Sequence, residues 1–323
     1  MNEEKLGRIS EIRKNSFIIA FEGREFPAKP KGSFFGAAPE QWPVVGDYVS
    51  FILNPAGDSV ILSVCGRKSL LKRPDQAKTG VMQYMAANAD YCFIVTSLNG
   101  DYSFNRIARY ASIALSGGVT PVVILTKADL CSNIYRYVRE AEGVAEGIRV
   151  HAVSAKYGIG LDALAEYFVP GVTIALMGSS GAGKSTLINT IAGAEVMKTG
   201  EIREDDAKGR HTTTCRRLIL LPNGVSVIDT PGMREIGMAS ADEGIDRTFS
   251  DIIALESRCR FRNCRHETEP GCAVRAAIES GELSPERLKL YRDLGKENAD
   301  HRVRKKEISK SVKAYKKSKN LEE

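Results

Sequence analysis

Short hydrophobic runs with a two-residue period fill the first part of the chain. Turn residues such as Glu22-Gly23 and Pro43 to Gly46 separate these runs. Such alternation predicts half-buried β-strands. The predicted strands are Gly7–Ile12, Ser16–Phe21, Arg24–Ala28, Asp47–Leu53 and Ser59–Val64. Five strands in about sixty residues fit a small all-β barrel, and the OB-fold is the usual five-stranded form.

Residues 73–240 have a different pattern, in which β-branched apolar runs alternate with segments of helical period. The predicted strands are Asp90–Thr96, Val119–Leu125, Val150–Val153, Val172–Met177, Leu218–Leu221 and Val225–Ile228. The predicted helices are Phe104–Ser116, Ile134–Gly147 and one that opens at Thr186. This alternation predicts an α/β domain with a mostly parallel sheet. After residue 240 the sequence becomes charged and helical, with a capped helix predicted at Ser284–Leu294.

The glycine-rich segment between the strand Val172–Met177 and the helix that follows it has the pattern G-x-x-x-x-G-K-[ST]. At a strand-to-helix turn, small residues allow backbone N–H groups to surround phosphate oxygens, and the helix N-terminus adds its positive dipole end. We expect Lys184 to contact the β- and γ-phosphates and the Ser185 hydroxyl to ligate Mg²⁺. The predicted nucleotide-binding residues of this P-loop are Gly178, Ser179, Ser180, Gly181, Ala182, Gly183, Lys184, Ser185 and Thr186.

Two further motifs, each directly after a predicted strand, indicate guanine as the base. The Asp129 carboxylate would accept the N1–H and 2-amino hydrogens of guanine, which adenine does not offer. The segment from Ser154 would supply a backbone N–H to the guanine O6. Each motif alone is weak, because Lys-x-x-Asp is usually a solvated surface pair. Together they predict one guanine site at the carboxyl edge of the sheet. The base-binding candidates are Thr126, Lys127, Ala128, Asp129, Ser154, Ala155 and Lys156.

The remaining candidates would act near the γ-phosphate and the metal. Asp229 ends an apolar strand and is expected to hold Mg²⁺, with the N–H of Gly232 near the γ-phosphate. In a polar loop upstream, Thr213 is the favoured switch I threonine for Mg²⁺. His211 of the same loop is a candidate catalytic residue, or an ordinary solvated side chain. Met233 stands where many GTPases have glutamine, and since a thioether cannot position water, unassisted hydrolysis should be slow.

The order of these motifs is unusual. In ordinary small GTPases the phosphate loop comes first, whereas here both guanine motifs precede it. The same sheet can form when the chain is opened at a different surface loop, because domain termini usually lie close together. The motif order therefore predicts a circularly permuted GTPase domain.

A cluster of cysteine and histidine follows the GTPase motifs. Its four residues offer three thiolates and one imidazole, which would complete a closed tetrahedral zinc shell and form a structural site. The spacing is not that of a common zinc finger, so free cysteines are the alternative. The predicted zinc ligands are Cys259, Cys264, His266 and Cys272. The other cysteines lie in or beside apolar runs, which indicates buried thiols: Cys65, Cys92, Cys131 and Cys215.

The distribution of positive charge along the chain indicates nucleic acid as a candidate partner. The chain has 323 residues and a formal net charge of +6, and residues 301–323 carry all of this excess. This basic tail would bind nucleic-acid phosphates in a salt-dependent way, or remain solvated without a partner. The barrel mixes Lys and Arg with aromatic residues such as Phe35 and Trp42. That mixture suits RNA, and it equally suits an ordinary charged exterior around an aromatic core.

The start of the chain lacks the apolar core of a signal peptide. No apolar run approaches the roughly 20 residues that span a membrane. We therefore expect a cytoplasmic protein that is not associated with a membrane.

In their combination and order, these motifs resemble the bacterial small-ribosomal-subunit-dependent GTPases. The resemblance rests on the barrel, on TKAD, SAK, GSSGAGKST, GRHTTT and DTPG, and on the Cys-x₄-Cys-x-His-x₅-Cys cluster. It implies a GTP hydrolase in late maturation of the small ribosomal subunit, with slow intrinsic turnover that the subunit stimulates. It also implies Mg²⁺ with GTP, one structural Zn²⁺, rRNA contacts by the barrel and zinc domain, and a role for His211. Thr126 stands where asparagine is usual in GTPases, so guanine affinity is expected to be modest.

The expected organisation has four parts and a monomeric chain. They are an OB-fold RNA-binding domain at 1–72, a circularly permuted GTPase domain at 73–240, a mainly helical zinc-binding domain at 241–300 and a basic tail at 301–323. Two competing interpretations are a P-loop ATPase or small-molecule kinase, and a non-catalytic RNA-binding module that keeps a nucleotide site.

Overall fold

The N-terminal strands form a closed barrel. The computed structural model describes residues 3–13, 16–74, 81–198, 216–230 and 242–299. The barrel strands are β1 (Glu4–Ile12), β2 (Phe17–Phe21), β3 (Arg24–Pro30), β4 (Tyr48–Ile52) and β5 (Ser59–Val64). They lie in the order β1-β2-β3-β5-β4, and β4 pairs with β1 to close the ring. The predicted five-stranded OB barrel is confirmed.

The barrel encloses a packed core. Successive side chains of a strand point to opposite faces, so every second residue enters the interior. Ile9, Ile19 and Phe51 are fully buried there. Gly7 permits their close packing, because a Cβ at this position would lie 2.4 Å from Cγ2 of Ile19 and 2.8 Å from the Phe51 ring.

A two-stranded hairpin that the sequence analysis did not predict follows the barrel. Its strands, β6 (Leu70–Pro74) and β7 (Met82–Ala87), pair antiparallel. Leu71 and Met85 are buried in the core of the central domain. Two consecutive basic residues interrupt the hydrophobic alternation of β6, which explains why its pattern predicted no strand. The expected domain boundary between residues 72 and 73 falls inside β6.

The central domain is a mostly parallel sheet with helices. Its strands are β8 (Tyr91–Ser97), β9 (Thr120–Thr126), β10 (Arg149–Ala152), β11 (Thr173–Met177), β12 (Arg217–Leu220) and β13 (Ser226–Asp229). Its helices are α1 (Phe104–Ser116), α2 (Ile134–Glu142) and α3 (Lys184–Ala192). The strand order is β10-β9-β8-β11-β13-β12, and only the β12–β13 pair is antiparallel. The predicted α/β domain is confirmed.

Helix α2 is shorter than predicted. The sequence pattern predicted a helix over Ile134–Gly147, but the helix ends at Glu142 with Gly143 as its C-cap. Glycine is the preferred residue beyond a helix end. Val144 is then fully buried, in turns that lead towards β10. The prediction was therefore wrong for the last turn of this helix.

A partly buried arginine joins the barrel to the central sheet. Arg8 of β1 donates to the Thr173 hydroxyl at 2.8 Å, the Ser226 hydroxyl at 3.1 Å and the Gly46 carbonyl at 3.1 Å. Thr173 and Ser226 begin the neighbouring strands β11 and β13. Burial lowers the pKa of Arg8, and nearby acidic groups oppose this shift. Strand β1 also pairs with β12, so barrel and central domain share one sheet of eleven strands.

Replacing this arginine is expected to destabilise the protein. Arg8→Ala would leave two hydroxyls and a carbonyl without their donor, which should lower the free energy of unfolding by about 2–3 kcal/mol. Urea unfolding followed by circular dichroism measures this change. Lys29→Ala is the control, because its ion pair with Asp58 is exposed and such pairs contribute about 0–1 kcal/mol. Equal losses in the two variants would show that Arg8 does not hold the barrel in place.

The C-terminal region is mainly helical, as predicted, and the structure shows that it packs against α1. Its helices are α4 (Asp242–Thr248), α5 (Ser250–Glu256), α6 (Ala273–Glu279) and α7 (285–299). The hydroxyls of Ser112 and Thr248 are 3.0 Å apart at the buried contact. Gly244 permits this approach, because a Cβ there would lie 1.9 Å from the Ser112 carbonyl oxygen. Arg287 of α7 donates to both carboxylate oxygens of Asp251, at 2.7 and 2.8 Å.

Within the described residues, no helix has both the length and the apolar character needed to cross a membrane. The predicted basic tail at 301–323 lies outside the part of the chain that the structure describes. Its binding to nucleic acid therefore stays a prediction.

Candidate nucleotide site and metal centre

The predicted phosphate loop connects β11 to α3 at the carboxyl edge of the parallel sheet. Gly178 has a φ of 152°, and a Cβ at this residue would lie 2.2 Å from the Val95 carbonyl oxygen. The loop therefore passes directly over β8. Gly183 precedes α3 with a φ of 91°, in the left-handed region that favours glycine. The first N–H groups of α3 have no acceptor within the helix, which suits a phosphate group at this position.

Lys184 folds onto its own loop. Its Nζ donates to the carbonyl oxygens of Gly178 and Ser179, at 2.8 and 2.7 Å. Burial lowers the pKa of Lys184, and the carboxylates of Asp229 and Asp101 oppose this shift. A partly buried cation that is held by neutral carbonyls gains from an anionic ligand, because charge-assisted hydrogen bonds are the stronger ones. Its position is suited to a nucleotide phosphate.

Thr126 ties the first guanine motif to the phosphate loop. Its Oγ1 donates to the Ala182 carbonyl oxygen at 2.5 Å and lies 3.3 Å from the Thr96 carbonyl oxygen. Thr126 ends β9, and only β8 separates β9 from β11 in the sheet. Motifs that are more than fifty positions apart in the chain are thereby in direct contact. A threonine at this position makes the link to the phosphate loop that asparagine normally provides.

The two guanine motifs lie beside each other. Asp129 follows β9 and Ser154 follows β10, and these strands are parallel neighbours. The backbone N–H of Ala128 donates to the Val153 carbonyl oxygen at 3.1 Å, which joins the two loops. Asp129 is exposed and Ser154 is buried. The structure therefore brings the candidate base-binding residues to the same sheet edge as the phosphate loop.

Asp229 ends β13 beside the phosphate loop. Its Oδ1 is buried and has no hydrogen-bond partner among the described residues. Burial raises the pKa of Asp229, and Lys184 opposes this shift. An unpartnered buried carboxylate oxygen beside a phosphate site suits a hard divalent cation. Ser185 in the first turn of α3 offers a hydroxyl oxygen as well, so the donor set fits Mg²⁺.

Several predicted residues lie outside the described part of the chain. They are His211, Thr213, Gly232 and Met233, together with Cys215. Their assigned roles stay predictions. Of the other cysteines expected to be buried, Cys92 is buried, whereas Cys65 and Cys131 are half-exposed.

The four predicted zinc ligands form one cluster. Their ligand atoms all lie within 4.8 Å of one another. Sγ of Cys259 is 3.9 Å from Sγ of Cys272 and 3.6 Å from Nδ1 of His266, and that Nδ1 is 3.3 Å from Sγ of Cys272. A tetrahedral zinc with bonds of about 2.3 Å to sulfur and 2.0 Å to nitrogen would set these separations near 3.8 and 3.5 Å. The cluster, completed by Cys264, therefore has the dimensions to hold a metal ion.

Glu256 supports this cluster, and the sequence analysis missed it. Its Oε1 lies 3.1 Å from Nε2 of His266, so Nδ1 is the ring nitrogen that faces the sulfurs. The Tyr291 hydroxyl donates to the other oxygen of Glu256 at 3.4 Å. Such outer partners fix the orientation of a histidine ligand. An acid three positions before Cys259 is common in any charged helix, so no local pattern marks it.

Removing one cluster thiolate is expected to release the metal. In Cys264→Ser, a hydroxyl replaces the soft thiolate, so the metal-to-protein ratio after dialysis should fall from about one towards zero. Elemental analysis measures the ratio, and circular dichroism should show an earlier thermal transition. Cys131→Ser is the control, because this half-exposed thiol is not part of the cluster. Full metal retention in the Cys264 variant would remove that residue from the ligand set.

Comparisons with known proteins all point to one family of GTPases. The RsgA GTPase family model matches residues 64–239. A small ribosomal subunit biogenesis GTPase RsgA 1 from Listeria innocua is 43% identical over 296 residues, which cover 91% of this chain and 84% of the relative. A small ribosomal subunit biogenesis GTPase RsgA from Xylella fastidiosa is 44% identical over 289 residues, with coverages of 88% and 85%.

Two solved structures share the fold. The crystal structure of YjeQ from Thermotoga maritima matches with a TM-score of 0.66 and 29% identity, over 90% of this chain and 97% of that one. The structure of YloQ, described as a circularly permuted GTPase, matches with a TM-score of 0.62 and 23% identity, over 92% and 96%. The second likeness concerns the fold alone.

The fold and the site together define a class of protein. A P-loop at the sheet edge, with guanine motifs that precede it in the chain and the first of them in direct contact with it, is the arrangement of a circularly permuted GTPase. The chain belongs to the RsgA GTPase family. It is therefore a GTP hydrolase, and the predicted class and fold are confirmed.

Proposed function

We propose that this protein hydrolyses GTP to GDP and phosphate on the small ribosomal subunit during its late maturation. Family membership and relatives named as small ribosomal subunit biogenesis GTPases support the proposal. The observation that carries it is the Thr126–Ala182 hydrogen bond, which links the first base motif to the phosphate loop, as a single nucleotide site requires. The partners are then GTP, GDP, the subunit and its rRNA, and the protein acts as a cytoplasmic monomer.

Different residues of the site bind the base and the phosphates of GTP. Asp129 accepts the two guanine N–H groups, and the backbone after Ser154 donates to O6. Lys184 leaves the loop carbonyls to bind the β- and γ-phosphates, which neutralises charge at a partly buried position. The backbone N–H groups of the phosphate loop hold the remaining phosphate oxygens.

Two metal ions belong to the proposal. Ser185 and Asp229 hold Mg²⁺, whose chemistry is to neutralise the charge of the phosphates, and Thr213 completes this set. Cys259, Cys264, His266 and Cys272 hold one Zn²⁺. Four protein ligands close the zinc shell, so the zinc site is structural and stabilises the C-terminal domain.

Slow intrinsic turnover follows from the residues near the γ-phosphate. Met233 cannot orient an attacking water, since its thioether neither donates nor accepts strongly. His211 would take over this role when the subunit is bound, because an imidazole can accept the proton of a water. Gly232 supplies an N–H to the γ-phosphate.

The flanking regions provide the RNA contacts. We assign the OB domain at 1–72 and the zinc domain at 241–300 to rRNA, and the tail at 301–323 to phosphates of the same RNA. The GTPase domain at 73–240 lies between them in the chain. The exposed Phe35 on the barrel and the exposed Phe261 beside the cluster support base stacking, which is sequence-tolerant.

The test is GTP hydrolysis by the full chain, with and without purified small subunits, at two salt concentrations. We expect phosphate release to rise about tenfold or more with subunits and to fall back at higher salt, because phosphate contacts release counterions. Heat-treated subunits are the control, because they show whether RNA alone, without the folded subunit, stimulates hydrolysis. Binding without a rise in phosphate release would instead indicate a non-catalytic RNA-binding module.

A competition experiment addresses the nucleotide. Unlabelled GTP and GDP should displace a bound fluorescent guanine nucleotide, whereas ATP at the same concentration should not. Equal displacement by ATP would favour a P-loop ATPase or small-molecule kinase.

A further inference from the structure

One acidic residue outside every nucleotide motif touches the phosphate loop. Asp101 lies in the loop between β8 and α1, and its Oδ2 accepts a hydrogen bond from the hydroxyl of Ser179. Ser179 is the second residue of the phosphate loop and is 5% exposed. The contact joins residues 78 positions apart in the chain. Asp101 is also close enough to Lys184 to oppose the lowering of its pKa.

Asp101 is itself held firmly. Its Oδ1 accepts from the Arg106 guanidinium at 2.9 Å, and its carbonyl oxygen accepts from the Thr96 hydroxyl at 3.1 Å and from Arg106. Arg106 lies in the first turn of α1, and the neighbouring Ile107 is buried in the core of the domain. The backbone of Asp101 is therefore anchored to the end of β8, and its carboxylate to a packed helix.

The phosphate loop, in contrast, contains three glycines in eight residues, at Gly178, Gly181 and Gly183. Each adopts a positive φ here, and because glycine lacks a Cβ, other backbone conformations are open to it as well. A flexible loop binds its ligand with an affinity that is reduced by the fraction of time spent in other conformations. An anchored acceptor for Ser179 would raise the fraction in the binding conformation.

We propose that Asp101 is a positioning residue that holds the start of the phosphate loop, through Ser179, in the conformation that accepts the guanine nucleotide. Arg106 orients the carboxylate and balances its charge near the phosphates. The inference rests on the proposed nucleotide site, and it assigns to the β8–α1 loop a part in nucleotide affinity.

The test compares Ser179→Ala, Asp101→Ala and the double variant in the full chain. The readout is the equilibrium dissociation constant of a fluorescent GDP, with the unfolding midpoint of the nucleotide-free protein measured beside it. A hydrogen bond to a charged group contributes enough to change affinity by about tenfold. We expect each single variant to bind about tenfold more weakly, and the double variant no more weakly than Asp101→Ala, because both changes remove the same contact. The unfolding midpoint should change little.

Two further variants sharpen the result. Asp101→Asn keeps an acceptor for the Ser179 hydroxyl, so it should recover most of the lost affinity, and it replaces Asp101→Ala if that variant does not fold. Glu142→Ala is the matched control, because it also removes a carboxylate paired with an arginine, on the exposed surface of α2. Its affinity should equal that of the unaltered protein.

Three outcomes would overturn the proposal. Unchanged affinity in Ser179→Ala would show that the hydrogen bond does not position the loop. Tighter binding in Asp101→Ala would show that the carboxylate only repels the phosphates. Additive losses in the double variant would show that the two residues act separately. Failure of the unaltered protein to bind the fluorescent GDP would contradict the nucleotide site itself, which is a distinct result.

Discussion

Lys184→Ala is expected to lose nearly all affinity for GTP and GDP. The Lys184 ammonium is the cation of the phosphate loop, and no other lysine or arginine lies within this loop. Removing the cation from a partly buried contact with the phosphates loses enough binding free energy to weaken affinity by about 100-fold or more. Titration of a fluorescent guanine nucleotide into the full chain measures the loss.

The structure adds a second expectation for this variant. Lys184 donates to two loop carbonyls, at Gly178 and Ser179, and its removal also ends these contacts. Stability without nucleotide should therefore fall slightly, whereas the stabilisation that GDP gives the unaltered protein should vanish. Lys289→Ala, an exposed lysine on α7, is the control for loss of a positive charge. Retained affinity in Lys184→Ala would contradict the phosphate-loop assignment.

Asp129→Asn is expected to change the base that the site prefers. An aspartate carboxylate can accept both hydrogens that guanine offers, whereas an asparagine amide accepts one hydrogen and donates one. Xanthine keeps the N1–H and has a carbonyl in place of the 2-amino group, so it matches asparagine. A bidentate pair to a base edge discriminates by about 1–3 kcal/mol, so GTP should bind up to about 100-fold more weakly while xanthosine triphosphate binds better.

Competition between the two triphosphates measures this switch. Asp129→Ala should bind both weakly and show no preference, since it offers neither group. Asp162→Asn changes an exposed aspartate of the same domain and should keep the preference for GTP. If the Asp129→Asn protein still preferred GTP, a residue other than Asp129 would read the base. This experiment separates base recognition from phosphate binding, which Lys184→Ala tests.

Much of the fold follows from local patterns. Helix α1 begins and ends at the predicted residues, Phe104 and Ser116, because its apolar residues recur with helical period and Ser103 caps it. The strand Ser59–Val64 also has the predicted bounds. Where the pattern was short or mixed, as in β6, the prediction failed. Strand β6 is stabilised by the packing of Leu71 against the central domain. The residues next to Leu71 in the sequence give no sign of this packing.

In the candidate site, too, some features follow from local sequence patterns and others from tertiary packing. The phosphate loop and the guanine motifs are recognisable because each needs particular residue types at fixed short spacings. Their shared location follows from the rule that parallel strands present their carboxyl ends at one edge. The zinc cluster was recognisable for a related reason, since metal ligands are few in kind. Its supporting acid, Glu256, was not.

By itself, the sequence determined the class of the protein. The elements, the individual motifs and the four metal-ligand candidates each depend on residues close together in the chain, and the order of the motifs is read directly along it. Only the tertiary structure decided which distant residues form hydrogen bonds with each other. These bonds are Thr126 to the Ala182 carbonyl, Ser179 to the Asp101 carboxylate, and Arg8 of the barrel to Thr173 of the central sheet. The reason is physical. A hydrogen bond across a fold depends on where whole strands and helices pack, and acids, hydroxyls and arginines are too common in any sequence for the right pair to be identified beforehand.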